Sequence, residues 1–289
     1  MESAPRIAFW GTPELTTAYL DALLLAGLKP VVIVTNPDRP KGRGHELTAT
    51  PAKLWGLTHD VPVLTPTKRD DAFFAELESY NLDLSIVVAY GSILPERFIS
   101  LPKNGTLNVH YSLLPRFRGA APTEAAILAG DTETGCAIQI MAFALDSGPL
   151  IAESNTSINP DETTPVLRAR LTEIGARLLT ETLPSYLKGE AVAVPQNELI
   201  ATYCGKIRKE DGLLDLTHNG EENYRKYRAY AEWPRTYFFA EKDGKEIRAI
   251  ITQAHTEEHA FVIDRVLPEG KKEMSYKEFI SWTSPSVRV

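Results

Sequence analysis

Residues 107–122, LNVHYSLLPRFRGAAP, place an Asn and a His two positions apart and follow them with Pro115, Arg116, Arg118 and Gly119. If residues 105–110 form a strand, the side chains of Asn108 and His110 project from the same face. An imidazole changes protonation near neutral pH, and a carboxamide offers a neutral N–H to a developing oxyanion. The missing partner is a carboxylate that orients or charges the imidazole. Asp146 in ALDSGPL is the candidate, because it follows a second apolar run, residues 136–143, in a Gly-Pro turn at what would be the same sheet edge. No Ser or Cys nucleophile is evident beside the set. The combination suits acyl transfer in which a substrate amine attacks a bound carbonyl directly, with no covalent enzyme intermediate. Each residue also has a purely structural reading: a packed His after a strand, an Asn that ends it, and an Asx-turn from Asp146 to Gly148.

The segments that must position these residues alternate between strand and helix character. RIAFW (6–10), VVIVT (31–35), LSIVVAY (84–90), GTLNVH (105–110) and CAIQIMAF (136–143) are short apolar runs rich in β-branched residues. Helices are expected over 14–27, ending at Gly27, near 70–80 and 123–129, and over 164–188. Continuous apolar strands separated by helices predict an α/β domain with an open, mainly parallel, Rossmann-like sheet whose ligands bind at the strands' carboxyl ends. Residues 36–51, NPDRPKGRGHELTATP, are expected to be a long loop. After residue 188 the texture changes. A catalytic domain is expected over 1–189, a linker over 190–203, and a small β-rich domain over 204–289. The last contains a helix near 221–231 and a hairpin at KDGK (242–245).

Composition bounds the function. The chain has 289 residues, 43% hydrophobic and 24% charged, an ordinary globular balance with room for two domains. The net charge of −7 is uneven: residues 204–289 carry 15 basic and 15 acidic side chains, against 16 and 23 before them. A nucleic-acid surface is therefore compatible with the C-terminal part, as is an ordinary solvated helix face. Two cysteines without metal-ligand spacing predict inert thiols, no disulfide framework and no metal. No apolar run is long enough to span a membrane, and the N-terminus lacks a leader pattern, so a cytoplasmic location is expected. The glycine fingerprint of dinucleotide sites and the P-loop are both missing.

With FWGTPEL, NPDRPKGRG, VVAYGSILP, LNVHYSLLPRFRGAAP, LDSGPL, TYCGKIRKEDGLLD, EWP and PEGKKEM in order, the chain resembles the methionyl-tRNA formyltransferase family from Arg6 to about Phe279. The Asn-x-His with a downstream Asp belongs to all 10-formyltetrahydrofolate enzymes; the PDRPKGRG loop and the motifs beyond Pro195 narrow the resemblance to the tRNA enzymes. It implies formyl transfer from 10-formyltetrahydrofolate to the amino group of methionyl initiator tRNA, with Asn108, His110 and Asp146 catalytic. It also implies a folate site with Val88, Ala89 and Tyr90 near the pterin and Ser112, Leu113, Leu114 and Pro115 shaping the pocket. Arg39, Lys41 and Arg43 in the 36–51 loop are the implied tRNA contacts, and Lys206, Arg208 and Lys209 form a second group. The sequence departs from the family's pattern at Ala142 and Ala144, where relatives more often carry an acidic residue and a Gly. The C-terminal domain is also shorter than the family's usual OB-like β-barrel. A monomer that needs no metal and no membrane is expected. The rival assignment is an N-formyltransferase acting on a nucleotide-linked amino sugar, which shares the donor and the three catalytic residues but does not need the basic loop.

Overall fold

Five consecutive buried residues, Ile7–Gly11, open the fold, as expected for a strand covered on both faces. The computed structural model describes residues 4–41 and 46–283. In chain order its elements are β1 (Ile7–Gly11), α1 (Leu15–Leu25), β2 (Val32–Val34), β3 (Arg39–Lys41), β4 (Glu46–Thr48), α2 (Pro51–Thr58), β5 (Val63–Leu64), α3 (Asp71–Glu78), β6 (Leu84–Val88) and α4 (Glu96–Ile99). There follow β7 (Thr106–His110), β8 (Arg118–Gly119), α5 (Pro122–Ala129), β9 (Glu133–Ile140), β10 (Leu150–Ser157), α6 (Thr164–Leu187), β11 (Tyr203–Cys204) and α7 (Gly220–Ala229). The chain ends with β12 (Tyr237–Lys242), β13 (Lys245–Glu257), β14 (Ala260–Pro268), β15 (Met274–Ser275) and α8 (Tyr276–Trp282).

The described residues sort into two compact units. The first holds those within Met1–Ala120, Gly135–Thr156 and Ala169–Tyr203; the second holds those within Ala121–Thr134, Ser157–Arg168 and Cys204–Val289.

In the first unit a seven-stranded sheet has the order β10-β9-β7-β6-β1-β2-β5. The pairs β1–β2, β1–β6, β2–β5 and β6–β7 are parallel. The ends of β1, β6 and β7 therefore open on one edge of the sheet, where a doubly wound fold places its ligands. Trp10 anchors the core of one face, with Phe73, Tyr90 and Phe98 edge-on to its ring at 5.3–6.3 Å between centroids. Its indole N–H is satisfied by Ser85 Oγ at 3.2 Å. Helix starts are set locally: Thr50 accepts from Lys53 N ahead of Pro51, and Asp70 accepts from Phe73 N.

Two expectations change here. Residues 36–51 are not a plain loop, because β3 and β4 pair antiparallel with Arg39 opposite Thr48 and Lys41 opposite Glu46. Residues 42–45, between the two strands in sequence, lie outside the described residues. Second, β9 runs antiparallel to β7, pairing Leu107 with Ile140 and His110 with Ala137. The carboxyl end of β9 therefore lies beside the start of β7, not at the shared strand-end edge expected from the sequence.

The second unit contains a four-stranded antiparallel sheet, β12-β13-β14-β15. The KDGK hairpin forms as expected: Asp243 and Gly244 take φ of +51° and +73°, the pair of left-handed residues a two-residue turn requires. Phe238 and Phe279 meet edge-on at 5.7 Å in its core. A capping box between Ser275 and Glu278 starts α8.

Candidate active site

Strand β7 delivers Asn108 and His110 to one face, and the cross-strand partner of Asn108 on β9 is Gln139. Opposite His110 stands Ala137, small enough to leave the imidazole its space. His110 is 6% exposed and its Nε2 lies 2.9 Å from the carbonyl oxygen of Phe117. A carbonyl only accepts, so Nε2 carries a hydrogen and Nδ1 is the nitrogen turned to Asp146. The Nδ1 to Oδ2 distance is 3.7 Å, within ion-pair range and beyond a hydrogen bond.

Asp146 arrives by a tight reversal after β9. Its φ is +48°, and its carboxylate is held from two sides: Oδ2 accepts from Gly119 N at 2.8 Å, and Oδ1 accepts from Gln139 Nε2 at 2.9 Å. The reversal explains how a residue following an antiparallel strand still faces His110. Gly148 makes it possible, because a Cβ there would lie well inside 3.0 Å of Ile140 O. Three non-glycine residues at the site, Ala89, Phe117 and Asp146, have φ between +46° and +56°. Left-handed backbone of this kind is costly and clusters where surrounding structure imposes a functional geometry.

Two glutamines that sequence reasoning passes over complete the set. Gln139, 1% exposed, donates through Nε2 to Asp146 and also approaches Asn108 Oδ1 at 3.4 Å, while its Oε1 accepts from Gly148 N at 3.2 Å. A polar residue inside the apolar run CAIQIMAF is the signal that could have revealed it. Gln196 donates to the carbonyls of Asp146 and Gly148 at 2.8 and 2.7 Å and accepts from Arg118 at 2.8 and 3.1 Å. Nothing local in its segment marks it. Arg118 is 1% exposed and committed internally. Besides Gln196 it makes a bidentate pair with Glu198 at 2.7 and 2.8 Å. Those hydrogen bonds push the guanidinium further up and hold the Glu198 carboxyl below its usual range. Arg116 is exposed.

The expected folate residues divide. Ala89 is exposed at the end of β6, whereas Val88, Tyr90, Ser112, Leu114 and Pro115 are buried and Leu113 is half-buried. The Tyr90 carbonyl already accepts from Asn36 Nδ2 at 2.8 Å and Thr12 Oγ1 at 3.2 Å. Ser112 Oγ donates to Arg116 O at 2.6 Å, and Pro115 O accepts from Thr202 N at 3.1 Å. Much of the polarity of these groups is thus already used within the protein. Of the expected tRNA contacts, Arg39 is exposed on β3, Lys41 ends that strand, and Arg43 lies outside the described residues. Lys206, Arg208 and Lys209 belong to the second unit and are exposed; the Arg208 backbone N–H bonds Asp211 Oδ2 at 2.7 Å. Among the described residues no three His, Cys, Asp or Glu side chains are grouped to hold a metal ion, and no helix is long and apolar enough to cross a membrane.

A mainly parallel open sheet followed by a smaller antiparallel one is the architecture of the formyltransferase class. Residues 5–183 match the family described as "Formyl transferase", and residues 206–262 match "Formyl transferase, C-terminal domain". The chain is 41% identical to the methionyl-tRNA formyltransferase of Myxococcus xanthus over 299 aligned residues, covering 96% of this chain and 95% of the relative. It belongs to the methionyl-tRNA formyltransferase family. The fold is shared with more distant structures. An N-formyltransferase from Helicobacter canadensis, solved with folinic acid and dTDP-3-aminofucose, aligns with a TM-score of 0.62 at 16% identity, over 90% of this chain and 95% of that one. HypX from Aquifex aeolicus, in complex with tetrahydrofolic acid, aligns at 0.65 and 17% identity over 96% of this chain and 47% of that one.

Proposed function

We propose that the protein transfers a formyl group from 10-formyltetrahydrofolate to the amino group of methionyl initiator tRNA. The observation that carries this reading is the 41% identity to a methionyl-tRNA formyltransferase over 96% of the chain, which spans both units. In this reading the first 189 residues catalyse, residues 190–203 link, and residues 204–289 contact RNA in the cytoplasm, the chain acting as a monomer.

The donor would supply a formyl carbon on a nitrogen leaving group, and the site's own groups suit it. Asn108 presents an amide N–H where an oxyanion would form, and Ala89 leaves exposed backbone at the adjacent strand end. Val88 to Tyr90 and Ser112 to Pro115 would hold the folate chiefly by shape. The substrate amine attacks the formyl carbon, and Asn108 Nδ2 with protonated His110 stabilises the tetrahedral oxyanion. Asp146, beside Nδ1, holds that charge in place and helps pass the amine's proton toward the departing nitrogen. Arg39, Lys41 and Arg43, with Lys206, Arg208 and Lys209, supply positive charge for the RNA backbone.

The test is formyl-methionine formation with 10-formyltetrahydrofolate and either initiator or elongator methionyl-tRNA. Formylation of the initiator alone supports the reading. Transfer to neither tRNA, with the donor bound, removes it in favour of an amino-sugar acceptor.

A further inference from the structure

We infer that Gln139 is a positioning residue for the transfer: its single carboxamide fixes both which way the Asn108 amide faces and how the Asp146 carboxylate is turned. The inference rests on the roles proposed above for those two residues, although the hydrogen-bond logic stands without them.

Each orientation is forced by a group that has no choice. Gly148 N–H can only donate, so the atom of Gln139 facing it at 3.2 Å is Oε1. Nε2 therefore points the other way, toward a carboxylate that can only accept, at 2.9 Å from Asp146 Oδ1. Its remaining hydrogen faces Asn108, 3.4 Å away, and the atom turned toward it must be Oδ1. The Asn108 amide nitrogen then lies on the side of Val87 O, at 3.3 Å. One of its hydrogens serves that carbonyl and the other is left for the site.

A flipped Asn108 would set a carbonyl oxygen against Val87 O and point an acceptor at the forming oxyanion. In water the two orientations are nearly equivalent. Val87 O and Gln139 together separate them, and at 1% exposure no solvent competes for the Gln139 amide. The same side chain, bonded to Gly148 N, ties the floor of the reversal that carries Asp146 to the strand that carries Asn108's partner position. It touches neither reacting group itself, so its effect belongs to the turnover step and not to substrate affinity.

Two substitutions separate this role from packing. Gln139→Met keeps the volume and removes both polar ends; kcat is expected to fall about 10- to 100-fold, the scale of a small misplacement of catalytic groups. KM for donor and for tRNA should stay within about twofold, the sparing of uniform binding expected for a group that acts only at the transition state. Gln139→Glu keeps the shape. Protonated, it offers one O–H in place of the amide's two hydrogens, enough for Asp146 or Asn108; ionised, it sets a third acceptor against both. Its activity relative to wild type should therefore decline as pH rises, a change packing alone does not produce. Wild-type kcat in Gln139→Met, or a Gln139→Glu pH profile that superimposes on wild type, overturns the inference.

A measurement without turnover keeps the question separate from the identity of the acceptor. In ¹⁵N-labelled wild-type protein the side-chain amide hydrogens of the buried Gln139 should exchange slowly with solvent, and the Asn108 hydrogen that faces Val87 O should exchange faster in Gln139→Met than in wild type. Fast exchange of both amides in wild type overturns the positioning role. Failure to formylate methionyl-tRNA alongside slow exchange removes the substrate assignment and leaves the positioning role intact.

Discussion

Asp146 lies 3.7 Å from His110 Nδ1 but only 2.8 Å from the backbone N–H of Gly119, a residue 27 positions earlier in the chain. The carboxylate is thus anchored by fixed backbone and by Gln139, and the imidazole approaches an acceptor that is already in place. An anchored charge costs no reorganisation when charge develops beside it, which is the condition under which electrostatic stabilisation contributes most.

That double anchoring makes Asp146→Asn a sharp substitution. Both carboxylate oxygens accept, so an amide in their place must turn its NH₂ toward either Gly119 N–H or Gln139 Nε2, both donors. We expect a loss of about 1 to 3 kcal/mol from the unmatched pair, read by urea denaturation. We also expect a fall in kcat of about 10² to 10⁴-fold from the missing proton and charge handling. Unchanged kcat in a folded variant removes Asp146 from the chemistry.

Asn108→Ala should separate differently. Asn108 is only half-buried and its bonds to Val87 O and Gln139 are long, 3.3 and 3.4 Å. Stability is expected to change by less than about 1 kcal/mol, while kcat falls about 10² to 10³-fold, the usual consequence of losing one oxyanion donor. Thermal melting and initial-rate kinetics on the same preparation decide it. A large loss of stability with modest kinetic change reverses the assignment and makes Asn108 a strand-ending residue.

The reversal after β9 depends on a missing side chain. A Cβ on Gly148 meets Ile140 O and Ile140 C within 3.0 Å and Ala142 N at 3.2 Å, all backbone atoms that cannot rotate away. Gly148→Ala should cost about 2 to 3 kcal/mol and lower kcat, because the same turn carries Asp146 two residues upstream. Gly205→Ala is the control: nothing lies within 4 Å of its Cβ position, and the change should stay within about 0.5 kcal/mol. Equal effects at both glycines contradict the packing argument.

How far the sequence could be read follows from which forces were local. Continuous apolar runs announced β1, β2, β6 and β7, since a strand buried on both faces leaves no other pattern. Asn108 and His110 were legible because their spacing and the strand period agree. Asp146 was found by composition and its turn, yet its expected route was wrong: strand direction is a pairing decision, and nothing within residues 136–143 encodes that β9 lies antiparallel to β7. Strand β10, LIAESNTS, alternates polar residues at the sheet edge and raised no apolar signal. Helix α2 did carry one, a capping Thr50 before Pro51, but the Gly- and Pro-rich segment ahead of it obscured the boundary. Gln196 and the burial of Arg118 arise only when residues 78 apart meet. No reading of either segment alone could supply that.

The Arg118 cluster predicts a pH dependence of stability. The Arg118 hydrogen bond holds Glu198 below the ordinary carboxylate value of about 4.3. A carboxyl with a lower folded than unfolded value stabilises the fold fully above the unfolded value, and that contribution is lost as pH falls through the folded one. Glu198→Gln should therefore be less stable than wild type at pH 7, with the gap narrowing as the pH is taken down through the carboxylate range. Because Glu198 is 65% exposed, added salt should also shrink the gap. A gap independent of pH assigns the effect to the amide's geometry and not to the ion pair.

Cys136 tests whether transfer is direct. It sits on β9 with no exposure, its Sγ donates to Leu171 O at 3.1 Å, and burial pushes its thiol up to about 12. At pH 8 roughly one molecule in 10⁴ would carry the thiolate, the only form that attacks a carbonyl or a disulfide. Native protein should therefore titrate one thiol with Ellman's reagent, the half-exposed Cys204, and two in denaturant. Cys136→Ser preserves a donor for Leu171 O and should leave formyl transfer within about twofold of wild type, as expected for a residue outside the transition-state contacts. If the serine variant were inactive yet folded, a formyl thioester on this chain would have to be considered and the direct attack of the substrate amine abandoned. The depth of the thiol and the position of Asn108, His110 and Asp146 on a different set of contacts favour the direct route.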